Sequence, residues 1–289
     1  MSARLDAHHH LWDLARPRPF LDGDGMTAIR RDYGLPELRD VIVRCGVDAT
    51  ILVQTLADEA ETVEFLSLAE ESAGLIAGVV GWVDLTDADV HGRLAALRRT
   101  RGGALLRGVR HAAQAEPDPC WLDRADVRRG IAAVGQAGLT YDLLVKQPQW
   151  AAALRLARAF PDVPMVIDHA GNPPVDDDLG LWSRWLANMA SLPNVCVKLS
   201  GLLTLGARSA EAVWPVADRV LSTFGPHRVM AGSDWPVCEL STPAEVVWWT
   251  HESFTRGLTD GERAAVFAGT AQTFYLTGAD RTSTGRTRS

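Results

Sequence analysis

The sequence has only four cysteines, Cys45, Cys120, Cys196 and Cys238, and none of them stands in a C-x-x-C pair. A chain this long can bury a large core without disulfide or metal staples, so the cysteines read as reduced, mostly buried thiols of an intracellular protein. Cys238 lies near a candidate loop but has no base partner in the pattern. Long apolar runs are missing too: none approaches the ~20 residues that span a bilayer. The first residues enter a structured pattern at once and leave no room for a signal peptide, so the expected location is cytoplasmic. Positive charge is in deficit, with a net charge of −7. That argues against nucleic acid and anionic membrane as main partners, since both reward clustered Lys and Arg. A small-molecule substrate remains the expected partner, and nothing in the pattern fixes an oligomeric state. No internal repeat and no Gly-rich phosphate loop follows the first strand, where HHHLWDLARPRPF stands instead.

What is present is a rhythm. Short runs rich in Val, Ile and Leu fall near 4–10, 49–54, 76–83, 105–111, 140–145, 164–169, 194–199 and 228–233. Such runs are expected of strands covered on both faces. Helix-like stretches lie between them: Glu59–Ser72, Asp123–Ala137, Pro148–Phe160 and Arg208–Phe224, with a last one over Thr259–Leu276. Pro148 suits a helix start, and Asp260 and Glu262 suit a first turn. Eight strands alternating with helices predict an α/β fold, a (β/α)8 TIM barrel in a single domain over residues 1–276. Residues 277–289, polar and Gly-containing, are expected to be a disordered tail. The irregular stretch from Trp12 to Leu35 is the kind of βα loop that covers a barrel's active site.

Catalytic groups of barrels sit at the C-terminal ends of strands, and three such ends carry chemistry. The first is Asp6-Ala-His8-His9-His10. Strand side chains alternate, so His8 and His10 point the same way and His9 the other, with Cα atoms of the pair about 6.6–6.8 Å apart. The second is Asp234, in AGSDWP at the end of the eighth strand, which a closed barrel lays beside the first. The third is His169, in VIDHAGNP. Asp168 beside it is read as support for the barrel or a turn. Further rim candidates are Gln54, Trp82, Arg110, His111, Asp142 and Lys198. Arg110 and His111 are adjacent and cannot both face inward; Arg110 can clamp oxygens through its fork of donors. Trp12, Trp82 and Trp235 are candidate walls for a sugar-like ring, while Trp182, Trp185, Trp248 and Trp249 look like helix packing.

The ordered set DAHHHLWD, LRGVRH, YDLL, VIDHAGNP, VKLSGL, AGSDWPVC and GTAQTFYL resembles the amidohydrolase superfamily, and within it the lactonase-type branch of sugar-acid lactonases and 2-pyrone-4,6-dicarboxylate lactonase. The likeness spans nearly the whole chain. It implies a hydrolase that opens a small lactone, sugar-acid or carboxylated. Asp234 would be the water-activating base, and His8, His10 and His169 would polarise the carbonyl. Metal-dependent members carry a strand-4 Lys or Glu and a strand-5 His; here those strands read Arg110-His111 and Tyr-Asp-Leu-Leu. The departure argues against a two-metal site and implies that no metal is required. The alternative is a single Zn²⁺ on His8, His10, His169 and Asp234. Rival readings are a metal-dependent amide hydrolase or non-oxidative decarboxylase on the same barrel, and a non-catalytic sugar-like ligand-binding barrel.

Overall fold

A computed structural model describes residues 3–175, 177–205 and 210–277. Eight strands follow one another around a single sheet: β1 Leu5–His9, β2 Ala49–Val53, β3 Ile76–Gly81, β4 Leu106–His111, β5 Thr140–Leu143, β6 Met165–Ile167, β7 Val195–Leu199 and β8 Val229–Ala231. All seven sequential pairs are parallel. The ring is closed past the end of β8, where the Asp234 amide donates to the His8 carbonyl at 2.8 Å and the His10 amide to the Trp235 carbonyl at 2.7 Å. The architecture is therefore the (β/α)8 barrel that the alternation of strand and helix signals demands.

The helices are α1 Leu35–Cys45, α2 Glu59–Glu71, α3 Val90–Arg99, α4 Ala125–Gln136, α5 Trp150–Ala159, α6 Gly180–Ala190, α7 Trp214–Phe224, α8 Ala244–Phe254 and α9 Asp260–Ala264. The helices α1 to α8 each turn buried apolar residues inward, as in Val127, Ile131 and Val134 of α4, which are fully buried. Local signals set the ends. The Asp58 carboxylate caps α2 by accepting from the Ala60 amide at 2.8 Å. Thr259 and Glu262 form a capping box at α9. Three expected boundaries move. Pro148 sits in a 3-10 turn before α5, Asp123 closes a 3-10 turn before α4, and α7 starts at Trp214 after a 3-10 turn over Ala210–Val213. Arg208 and the tail from 278 onward lie outside the described residues. Trp182, Trp185 and Trp248 pack as expected, but Trp249 is 59% exposed. Cys120 is exposed and the other three cysteines are buried. No helix among the described residues is long and apolar enough to cross a membrane.

Two cores result. The larger lies between sheet and helices. The smaller fills the barrel's lower lumen, where Leu5, Ile51, Val80 and Met230 meet Ala268, Ala271 and Tyr275. Those last three come from the continuation of α9, which runs through π-helical turns over Ala265–Gly269 and Gln272–Leu276. The C-terminal helix thus plugs the barrel floor. Above, the long loop after β1 is built around its own buried residues Leu21, Ile29 and Tyr33 and is pinned to α2 by the buried pair Arg18–Glu61.

Candidate active site

The first strand is not regular. Asp6 pairs with Thr50 but His9 with Leu52, so three steps on β1 oppose two on β2. This bulge turns His8 and His10 into the lumen together, with His8 Nε2 and His10 Nε2 only 3.2 Å apart. His9 goes the other way, as alternation requires, into a buried gap beside Leu38, Val41 and Trp248. Its two ring nitrogens find no partner there. Space for His8 comes from Gly232: a Cβ there would lie 2.9 Å from His8 Cβ. Asp6 ties the two ends of the ring, accepting from the amides of His8 at 3.1 Å and Ser233 at 2.9 Å.

Asp234 and His169 arrive from turns with strained backbone. Their φ values are 59° and 51°, in the left-handed region that non-glycine residues seldom occupy. Asp234 Oδ1 lies 3.5 Å from His10 Nε2 and 3.7 Å from His8 Nε2. The His169 ring sits 4.6 Å from that of His8, centre to centre, and its Nδ1 meets Ser200 Oγ at 3.0 Å. Gly201, in the left-handed region itself, presses against both: a Cβ on it would stand 2.6 Å from His169 Nδ1 and 3.0 Å from Asp234 Oδ2. The four residues singled out from the sequence are thus gathered in one buried cluster.

Beneath them runs an ion network that the sequence reading largely missed. Asp168, read there as support, faces three partners: Arg110 at 3.1 Å, Lys198 at 3.0 Å and His8 Nδ1 at 3.3 Å. Lys198 Nζ also reaches Asp142 at 2.6 Å and His8 Nδ1 at 3.2 Å. The Tyr275 hydroxyl rises from the floor to donate to Asp142 at 2.6 Å. Lys198 and Asp142 are therefore lumen residues rather than rim residues. The only sequence signal was a Lys two positions after Cys196 on a strand, the inward phase of that strand. Gly201 and Tyr275 gave no signal of their own.

The remaining candidates divide. Arg110 points inward and His111 outward. Arg110 donates to the Gln54 carbonyl and lies 3.3 Å from both Gln54 Oε1 and His8 Nε2, so Gln54 holds the clamp. Trp82 is half-buried and donates to His111 Nδ1 at 3.1 Å; His111 in turn stacks on Trp121. Trp12 and Trp235 are packing residues of the loop cap. They flank Tyr33, and their indole N–H groups go to the Arg31 carbonyl and the Glu239 carboxylate, both at 2.8 Å. The expected sugar walls are not displayed by those two rings.

Burial sets the protonation of the cluster. It pushes His8 well below its usual value, His10 down to about 3 and His169 down, so all three imidazoles are neutral at pH 7. Burial raises the Asp234 carboxyl. Burial would also raise Asp168, but Lys198, His8 and Arg110 together hold it well below the usual carboxylate range.

A metal ion fits this donor set. One ligand atom each from His8, His169 and Asp234 lie within 4.8 Å of one another, and three protein ligands leave the open position of a catalytic zinc site. Behind His8 stands the Asp168 carboxylate, the usual orienting partner of a ligating imidazole. His10, the fourth member of the alternative zinc set, is outside that group, with its Nε2 3.2 Å from His8 Nε2 and 3.5 Å from Asp234 Oδ1. The geometry gives no support to a site that excludes metal.

The amidohydrolase family model matches residues 5–276. Two curated relatives are named L-fucono-1,5-lactonase. The one from Burkholderia ambifaria is 34% identical over 95% of this chain and 96% of its own. The one from Burkholderia multivorans is 36% identical over 94% and 95%. A solved amidohydrolase from Burkholderia multivorans with bound zinc superposes with a TM-score of 0.88 at 36% identity, covering 95% of this chain and 99% of that one. The chain belongs to the amidohydrolase family.

Proposed function

We propose that the protein is a hydrolase that opens the ring of a small, uncharged polyhydroxy lactone, with Asp234 as the base. The observation that carries this is the cluster itself: a buried carboxylate among three neutral imidazoles, with the Arg110 guanidinium beside them. Relatives named L-fucono-1,5-lactonase support the substrate class.

Asp234 takes a proton from water as the water oxygen attacks the lactone carbonyl carbon. The raised carboxyl is a stronger base than a solvated one. Negative charge grows on the carbonyl oxygen, where Arg110 and an imidazole N–H meet it in a site with little water. Collapse breaks the ring C–O bond, and the Asp234 proton passes to the departing ring oxygen, giving the hydroxy acid. A single Zn²⁺ held by His8, His169 and Asp234 would supply Lewis acidity toward the carbonyl and acidify a bound water.

Charge argues for the neutral lactone over the carboxylated one. Among the described residues of the site, the two cations are already committed: Arg110 to Asp168, and Lys198 to Asp142 and Asp168. Their charges are balanced by those carboxylates, so a substrate carboxylate would meet no uncompensated positive charge, while an Arg110 N–H can still donate to a carbonyl oxygen. The test is acid release in weak buffer from a panel of aldono-1,5-lactones and carboxylated pyrone lactones. Turnover should favour the neutral set by at least tenfold in kcat/KM; equal or reversed preference overturns the substrate class.

A further inference from the structure

His8 Nδ1 is faced by a donor and an acceptor at once. Lys198 Nζ stands 3.2 Å from it and Asp168 Oδ1 3.3 Å. An imidazole nitrogen answers only one of them at a time, as lone pair to the ammonium or as N–H to the carboxylate. Whichever it answers fixes the opposite character on Nε2, the nitrogen that looks into the site.

The other contacts say which state suits which occupant. His10 Nδ1 lies 2.7 Å from the Val53 carbonyl. A carbonyl only accepts, so Nδ1 carries the proton and His10 Nε2 is a lone pair. That lone pair looks at His8 Nε2 across 3.2 Å. With no cation between them, two lone pairs would oppose each other unless His8 carries Nε2–H and accepts from Lys198 at Nδ1. With a cation at Nε2, the proton moves to Nδ1 and is taken by Asp168. Arg110 Nη1 lies 3.3 Å from His8 Nε2 and 3.1 Å from Asp168 Oδ2, and in the donor state of His8 it gives its hydrogen to that carboxylate alone.

Lys198 holds its place because the barrel floor holds it. Its ammonium meets Asp142 at 2.6 Å, and the Tyr275 hydroxyl donates to the same carboxylate oxygen at 2.6 Å. All of these groups are buried.

We propose that Lys198, anchored from the floor by Asp142 and Tyr275, is a positioning residue that works with Asp168 to let His8 present Nε2 either as a hydrogen-bond donor or as a metal-ready lone pair. The C-terminal helix thereby reaches the active site from below. The donor state places an N–H where the lactone oxyanion forms, so the kinetic part of the claim rests on the lactonase reading. The tautomer part does not.

The experiment is long-range ¹H–¹⁵N spectroscopy of histidine-labelled full-length protein, with the His8 signal assigned by its loss in His8→Gln. Metal-free parent should show Nε2 protonated. Parent with zinc should show Nδ1 protonated. Lys198→Met, metal-free, should also show Nδ1 protonated, because a carboxylate then faces that nitrogen alone and outcompetes the His10 imidazole. Its metal-free kcat should fall about 10–100-fold, the usual loss for an orienting partner, with KM little changed. Should Lys198→Met not fold, Tyr275→Phe keeps the ring packing and removes one anchor, and part of the His8 population should move to Nδ1–H. A tautomer that stays the same in the folded variant or on adding zinc overturns the proposal. No lactone turnover by the parent would overturn the lactonase reading and leave the spectra to decide this one.

Discussion

The backbone amide of Asp234 donates to the carbonyl oxygen of His8 at 2.8 Å. This hydrogen bond helps close the barrel and also brings the candidate base against the histidine pair. Stability and site geometry share this seam, which explains why the tie from Asp6 to Ser233 lies directly beside it.

Gly201 is the nearest test of how tightly that geometry is held. Its φ is +64°, and a Cβ would press on His169 and Asp234. Gly201→Ala should lose about 1–2 kcal/mol of stability from the left-handed backbone and more than tenfold in kcat from the displaced side chains. Thermal melting and steady-state kinetics check the two parts separately.

Arg110 acts as a fork rather than a point charge. One arm meets Asp168 and His8, the other Gln54. Arg110→Lys keeps the charge but cannot reach both sides. We expect kcat to fall about 100-fold, as for loss of a transition-state donor, while circular dichroism stays unchanged.

His9 gives a pH prediction free of catalysis. Burial pushes its imidazole down to about 3, whereas in the unfolded chain it is near 6.5. Between these values the unfolded state binds the extra proton, so this residue's contribution to stability falls as pH drops below 6.5. His9→Leu removes the group and its two unpartnered nitrogens. Relative to the parent, the variant should gain about 2 kcal/mol on going from pH 8 to pH 5, read by urea denaturation at both values.

The barrel was legible in the sequence because burial on both faces leaves continuous Val, Ile and Leu runs at regular spacing. His8, His10, His169 and Asp234 were legible because all four lie at strand ends. Lys198 was placed at the rim, and the partners of Asp168 went unread, for a reason of the same kind. Lys198 lies on β7 and Asp168 just past the end of β6, and a buried charge is recognised only by its partners, which come from other strands. Tyr275 is harder still, since it joins Asp142 only once the C-terminal helix has turned under the barrel. Trp12 and Trp235 follow strand ends as a sugar wall would, but their indole N–H groups are taken by the loop cap.

The most direct test is lactone ring-opening by the parent and by Asp234→Asn, measured as acid release on the best aldono-1,5-lactone. Asn keeps the size of Asp and removes the base. The account predicts a kcat loss of about 10²–10⁴-fold in a variant whose circular dichroism and melting match the parent. Asp234→Asn with full activity, or a folded parent that opens no lactone, would contradict it.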